Sequence, residues 1–370
     1  MEELSPEDSL RLNVLLANKP QAIRVNESYL TVHGLTAAGE QEIKLSPNCR
    51  EEQYVKRVRE LISGHVLGSP GGYPVYLKRW TRMGQMRDES LEQLLLLGEP
   101  EAVIAAVCAP GLSDELARRA WWCLESADNA RHMLANPEIV KGEMGPVLAR
   151  YLIEHLPFET EPEVMIETVR LVLQEGLITA EEREDLWRKA GRKNAYIVGF
   201  LATVPDEMPE PANEHALLES CRTELKQLKQ DNNPYGASLE RVMSQSGQAF
   251  IAAVQKVLKK PANQEVVSMT LDAIRNYFQP IRPGGDPDLK MEQLVESAEA
   301  EQQSDADLSA ACQALPALTD QLMAARVLSG MGYGVLRPFL RDSTAIGTLM
   351  RKKIAPATSK LDEVIKPLKG

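Results

Sequence analysis

The sequence predicts a mainly α-helical chain: a small N-terminal α/β unit, HEAT-like stacked α-hairpins, then a C-terminal helical domain. Three observations carry this. Helix-start signatures recur at short intervals after residue 87, aromatics are sparse at 5%, and alternating β-type runs are confined to the first 45 residues. At 370 residues the chain exceeds what one core usually supports, and the texture divides it into 1–63, 64–208 and 209–370.

The elements follow in order. Ser5-Pro6-Glu7-Asp8 is a helix start, with a serine cap, proline in the first turn and acids at the positive dipole end. That helix runs to about Ala17. In QAIRVNESYLTVHG two short alternating runs flank Asn26-Glu27 and predict a β-hairpin, with a third strand over Gln41 to Leu45. Asn48 and Glu51 have capping-box spacing ahead of a helix whose buried face is Val55, Val58, Leu61 and Ile62. Gly98 closes SLEQLLLLG, Glu99-Pro100 opens AVIAAVC, Ser113 caps ELARRAWWCLES, and further starts stand at Pro137, Pro162 and Thr179. GEPEAVIAAV with SDELARRAWWCL resembles one HEAT-type repeat, although no fixed period continues. Val204 to Asn213, VPDEMPEPAN, reads as a linker. Leu239 to Leu258 places eight apolar residues on one helical face, and Gln279 to Lys290 is a second break.

Charge and cysteine usage exclude several classes. A net charge of −11 argues against a general nucleic-acid coat, though a local basic patch still allows RNA as a partner. No run of about 18 apolar residues is present, and the N-terminus MEELSPEDSLRLN is acidic with no signal-peptide core, so a cytoplasmic protein without a transmembrane segment is expected. Cys49, Cys108, Cys123, Cys221 and Cys312 are scattered, with neither CxxC nor zinc-type spacing. They read as buried small hydrophobes, and neither a metal nor a cofactor is expected.

The segment Gly64 to Arg87 carries the candidate binding residues: Tyr73, Tyr76, Lys78, Arg79, Trp80, Arg82 and Arg87. Its glycines can form a nest for an anion, with the cations supplying charge for a phosphate, a partner or RNA. No Lys-Ser or Lys-Thr completes a P-loop, and the plain reading is a packed domain junction. Cys49, beside Arg50 at an expected helix start, is the candidate reactive thiol for a persulfide carrier. Its plain reading is an unreactive first-turn residue. Gly330 to Gly334 fails as a dinucleotide fingerprint, since no hydrophobic strand precedes it and the third glycine comes too early. The histidines show no HExxH, and no serine sits in a GxSxG elbow. No catalytic constellation is legible, so an enzyme is not expected. Residues 286–307 carry eight acids against one lysine, and the last forty residues eight cations against three acids. Intramolecular pairing of the two is favoured over an anionic membrane or an acidic partner.

Leu10 to Val25 (LRLNVLLANKPQAIRV) and Gly68 to Val103 together resemble the DsrS family, cytoplasmic proteins encoded with the dissimilatory sulfite reductase genes of sulfur-oxidising bacteria. The 41.0 kDa mass agrees. The resemblance implies an accessory or regulatory part in oxidation of stored sulfur; the solenoid-like texture and the missing active site point to action through a protein partner of that pathway. It supplies no catalytic residue.

Overall fold

The computed structural model describes residues 4–83, 88–282, 284–340 and 347–370, with side chains of 78–83 and 88–90 left out of the description. The protein is mainly α-helical with one three-stranded antiparallel sheet near its N-terminus. It divides into two compact units, Met1–His155 and Leu156–Gly370. That division falls inside the stretch read from the sequence as one 64–208 array.

In the first unit, α1 (Pro6–Ala17) precedes β1 (Ala22–Asn26), β2 (Thr31–Thr36) and β3 (Gly39–Lys44), and α2 (Glu51–Leu67) follows. Next come α3 (Gly72–Met83), α4 (Asp88–Leu95), α5 (Pro100–Val107), α6 (Asp114–Cys123), α7 (Ala127–Leu134), α8 (Pro137–Lys141) and α9 (Met144–His155). Helices α5 and α6 pack on each other, and α7 packs on α9.

The sheet order is β1-β2-β3, with Val25 opposite Val32 and Val32 opposite Ile43. Successive strand residues face opposite sides, so Ile23, Val25, Val32 and Ile43 share the inner face. That face meets Leu12, Leu15, Leu16, Tyr54, Val58 and Ile62 in one core. A Cβ at Gly34 would lie 2.4 Å from Leu15 Cδ1, so only glycine lets α1 come this close. Ser5 caps α1 by accepting the Asp8 N–H, as its sequence predicts.

Asp8 is fully buried and fixes this core. Its Oδ2 accepts the Tyr54 hydroxyl at 2.5 Å and the Ser46 N–H at 2.8 Å, joining α1, α2 and the strand-to-helix loop. The capping box expected at Asn48 and Glu51 does not form. Helix α2 starts at Glu51 after Arg50, and no side-chain cap bond closes it. Pairing of the loop to Asp8 takes over the positioning that a box would supply.

The second unit contains α10 (Pro162–Val172), α11 (Ala180–Ala190), α12 (Asn194–Thr203), α13 (Arg222–Gln230), α14 (Pro234–Met243) and α15 (Gln245–Lys259). It continues with α16 (Gln264–Tyr277), α17 (Met291–Ser304), α18 (Ala306–Ala314), α19 (Thr319–Leu328), α20 (Arg337–Leu340) and α21 (Gly347–Ile365). Helix α12 is central, buried nearly all round and packed on α10, α15 and α16. Thr179 and Glu182 form the capping box of α11.

Two expectations need correction here. The Leu239 to Leu258 face is shared by two helices, because Ser244 at φ −68°, ψ 167° ends α14 and caps α15 through the Gly247 N–H. The apolar periodicity runs through the break and hides it. Val204 to Asn213 is irregular, but it is fastened within its own unit. Arg241 forks onto Asp206 at 2.8 and 2.7 Å, and Arg183 holds Glu207. Its prolines exclude helix without loosening the loop.

Replacing Tyr54 by Phe leaves Asp8 buried with one bond fewer. Chemical denaturation of Tyr54→Phe should show a loss of about 1–3 kcal/mol. A change within experimental error would show that the Asp8 bond is not a structural pin.

Candidate functional site

The glycine turn at the head of the 64–87 segment is built around an anion that belongs to the chain. Gly68 ends α2 in the left-handed region at φ +65°, and Gly72 starts α3 at φ +59°. The Gly72 N–H donates to Ser63 Oγ at 2.7 Å, and the Tyr73 N–H donates to Glu99 at 3.2 Å. A Cβ at Gly72 would lie 2.2 Å from Glu99 Oε1. Glu99 is the N-cap residue of α5 yet makes no side-chain bond to its own helix, because its carboxylate serves α3. The anion at the positive end of α3 is thus the chain's own Glu99 carboxylate.

Tyr73 and Tyr76 stack at 6.5 Å between ring centroids, and Tyr76 is buried. Lys78, Arg79, Trp80 and Arg82 lie on α3, while Arg87 and the side chains of those four lie outside the described residues. Asp114 repeats the device: it stands in the first turn of α6, accepts the Glu143 and Met144 N–H groups ahead of α9, and sits where a Cβ of Gly142 would strike it.

Burial pushes the Glu99 carboxyl above its ordinary value, against the opposing Tyr73 N–H bond and the Arg59 charge.

Cys49 precedes α2 by two residues, half-buried against the sheet core, with its thiol on the Arg50 carbonyl at 3.7 Å. Cys123 and Cys221 are buried as expected. Cys108 is exposed at the C-cap of α5, contrary to its expected burial, the helix ending at Val107, one residue short of the end of the AVIAAVC run.

The outer face of the sheet carries a polar array that the sequence did not disclose. Arg24, Thr31, His33 and Glu42 lie on it by register, with Glu40 diagonal to His33. His33 Nδ1 is 2.7 Å from Glu40, and its Nε2 is 2.9 Å from the Thr31 hydroxyl. These partners select the tautomer in which Nδ1–H donates to the carboxylate and Nε2 accepts the hydroxyl. Trp122 Nε1 donates to the other Glu40 oxygen at 3.2 Å. Arg24 donates to Glu40 at 3.1 Å and lies 4.8 Å over the Trp122 ring. Burial raises the Glu40 carboxyl, but the bonds from Trp122 and His33 and the Arg24 charge outweigh it and hold it below the ordinary value.

This array borders an open concavity of about 490 Å³, with Tyr29, 75% exposed, and Lys44 on its lining. A hydroxyl, imidazole and carboxylate in line resemble a nucleophile relay. Thr31, however, starts the central strand, where backbone donors are consumed by pairing on both sides. Its hydroxyl is tied to the His33 ring at 2.9 Å. The arrangement suits recognition through fixed donors and acceptors. Its signal in sequence was weak, because a seven-residue separation across a turn has no motif.

In the second unit, a groove of about 430 Å³ is lined by Arg188, Lys189, Arg192, Lys193 and Tyr196. Most of its charge is spent. Arg188 and Lys189 pair with Asp185, and Lys193 binds the Pro157 and Glu159 carbonyls. Gly332 and Gly334 pack directly on the Pro287 and Asp288 backbone, with the Gly334 N–H on the Pro287 carbonyl at 3.1 Å, a close corner where a nucleotide turn had been ruled out. No group of metal-ligating residues occurs among the described residues, and none of their helices is long and apolar enough to cross a membrane. No protein-family model, curated protein or solved structure matches the chain.

Glu99 gives a pH test. A carboxyl raised on folding costs stability where it is ionised, so stability is greatest below the usual carboxylate range and falls as pH rises through the folded value. Glu99→Gln should therefore match the parent near pH 4 and gain on it towards about pH 7. A constant difference across that range in denaturation midpoints would contradict this. Gly72→Ala should lose about 1–3 kcal/mol through its left-handed φ and the displaced carboxylate, measured by the same method.

Proposed function

We propose that this chain is a non-enzymatic, cytoplasmic accessory or regulatory protein of dissimilatory sulfur oxidation that works by binding another protein of that pathway. The pathway comes from the resemblance of Leu10 to Val25 and Gly68 to Val103 to the DsrS family. The mode of action is supported by one observation above the rest. The outer sheet face presents an immobilised polar array beside Tyr29, an aromatic 75% exposed at the edge of an open concavity. Large aromatics ringed by ordered polar groups are what binding hot spots are made of. The occupant is an extended partner segment with both signs of charge, since Arg24 and Lys44 alternate there with Glu40 and Glu42. Negatively charged Glu40 and Glu42 on β3 argue against a nucleic-acid backbone on this face.

The persulfide-carrier reading draws less support, because Cys49 is half-buried against the sheet core. The RNA reading rests on side chains of the 64–87 segment that lie outside the described residues.

Affinity capture from a sulfur-oxidising cell tests the proposal. The parent should recover identified products of the sulfite reductase gene cluster, and Tyr29→Ala should reduce recovery about tenfold or more without changing thermal stability. Recovery of no pathway protein at physiological salt would sink the reading. Equal recovery by Tyr29→Ala would remove the sheet face as the docking surface.

A further inference from the structure

In the second unit the Arg282 guanidinium is clasped between two glycines. A Cβ at Gly285 would lie 2.7 Å from its Nε, and a Cβ at Gly330 would lie 2.7 Å from its Nη1. Its Nε donates to the Gly284 carbonyl at 3.2 Å. Neither Nη atom has a partner among the described residues, and neither is sealed from solvent. The guanidinium lines a cavity of about 190 Å³ together with Arg275, Asn276, Gln279 and Ser329. The glycines thus hold a charge-assisted fork in place with its bidentate edge unused.

The surrounding charges sharpen the point. Arg326, 6% exposed, is paired with Glu301, and Arg275 with Asp272 at 2.8 Å. Arg282 has no such carboxylate. Asp286, the acid on the cavity wall, accepts the Asp288 N–H at 2.9 Å and forms no ion pair with it. Burial, then the neighbouring Arg326 charge, lowers the Arg282 pKa despite Glu301 and Asp286. Two guanidiniums near one another, one of them without a counterion, favour an incoming anion.

We infer that this cavity binds a tetrahedral oxyanion group, phosphoryl or sulfuryl, held by the Nη edge of Arg282 with Arg275 and the Asn276 and Gln279 amides around it. Planar, bidentate recognition is what an arginine fork gives such a group, and 190 Å³ admits one with a small substituent. The site lies wholly in the second unit, so its fate is independent of partner docking on the sheet.

The test is calorimetric titration of the full chain with inorganic phosphate and with sodium sulfate, at ionic strength held constant with chloride. Saturable binding of either anion is expected, and which of them binds tighter tells a phosphoryl from a sulfuryl ligand. Arg282→Gln should weaken it about tenfold or more, the scale of one charge-assisted pair. Gly330→Ala, which keeps the arginine but denies it its seat, should weaken it too. Asp286→Asn, which keeps the acceptor for Asp288 N–H and removes a competing charge, should tighten it. No saturable heat in the parent would overturn the inference, and so would unaltered affinity in Arg282→Gln with its thermal stability intact.

Discussion

Burial of one face of a three-stranded sheet governs the first unit. Gly34 lets Leu15 of α1 come into contact with the strand backbone, and Leu12, Tyr54 and Ile62 complete the cover. Each strand side chain alternates in direction, so covering Val32 commits Thr31 and His33 to the opposite side. A one-residue slip would bury His33 and expose Val32, which the Asp8 bonds to Tyr54 and Ser46 help to prevent. The polar array is thus a consequence of the core. Its members are rigid because Glu40 collects His33, Arg24 and Trp122 at once, and Trp122 belongs to α6. The sheet meets α6 through that carboxylate, through Arg24 on the Trp122 carbonyl at 3.2 Å and through the Cys123 thiol on the Ile23 carbonyl at 3.5 Å.

A second constraint shapes the helices that follow. Helix starts leave backbone donors open, and here two of them are filled by a carboxylate from another helix start. Glu99 serves α3 and Asp114 serves the entrance to α9, in both cases over a glycine whose missing Cβ makes room. The cost falls on Glu99, whose burial opposes its ionisation. Short helices, each too short to be stable alone, are locked together by such links. The same feature engages two donors of the glycine-rich turn, the Gly72 and Tyr73 N–H groups, within the chain.

Local signals were legible wherever the physics is local. Ser5, Ser113 and the Thr179–Glu182 pair cap the helices that their spacing announces, and the three strands overlap their alternating runs, with Asn26 inside β1 and β2 running three residues past His33. Ser244 was missed because the apolar face continues across it, and periodicity cannot register a change of axis. Glu99-Pro100 opens α5 as its spacing suggests, while the partner of the Glu99 carboxylate lies 26 residues earlier. His33 with Glu40, and Arg282 between Gly285 and Gly330, depend on tertiary neighbours that no spacing rule encodes. Their weak traces were a polar strand face and a glycine pair next to an arginine.

Charge in the second unit follows from the same distinction. The acidic stretch and the basic C-terminal region do pair: Arg337 holds Asp288 at 2.5 Å, and Lys360 meets Glu292. Both pairs are exposed, so solvent screening leaves each worth little, and salt weakens them further. They neutralise the two segments without holding the unit together. Arg326 with Glu301 is different, since the arginine is nearly sealed from water and loss of one partner would strand a buried charge, at about 3–5 kcal/mol. That pair fixes α17 against α19, and with it the Gly330 corner that seats Arg282. Glu301 neutralises Arg326 from within, whereas the neighbouring Arg282, seated between Gly285 and Gly330, has its Nη edge unpaired among the described residues.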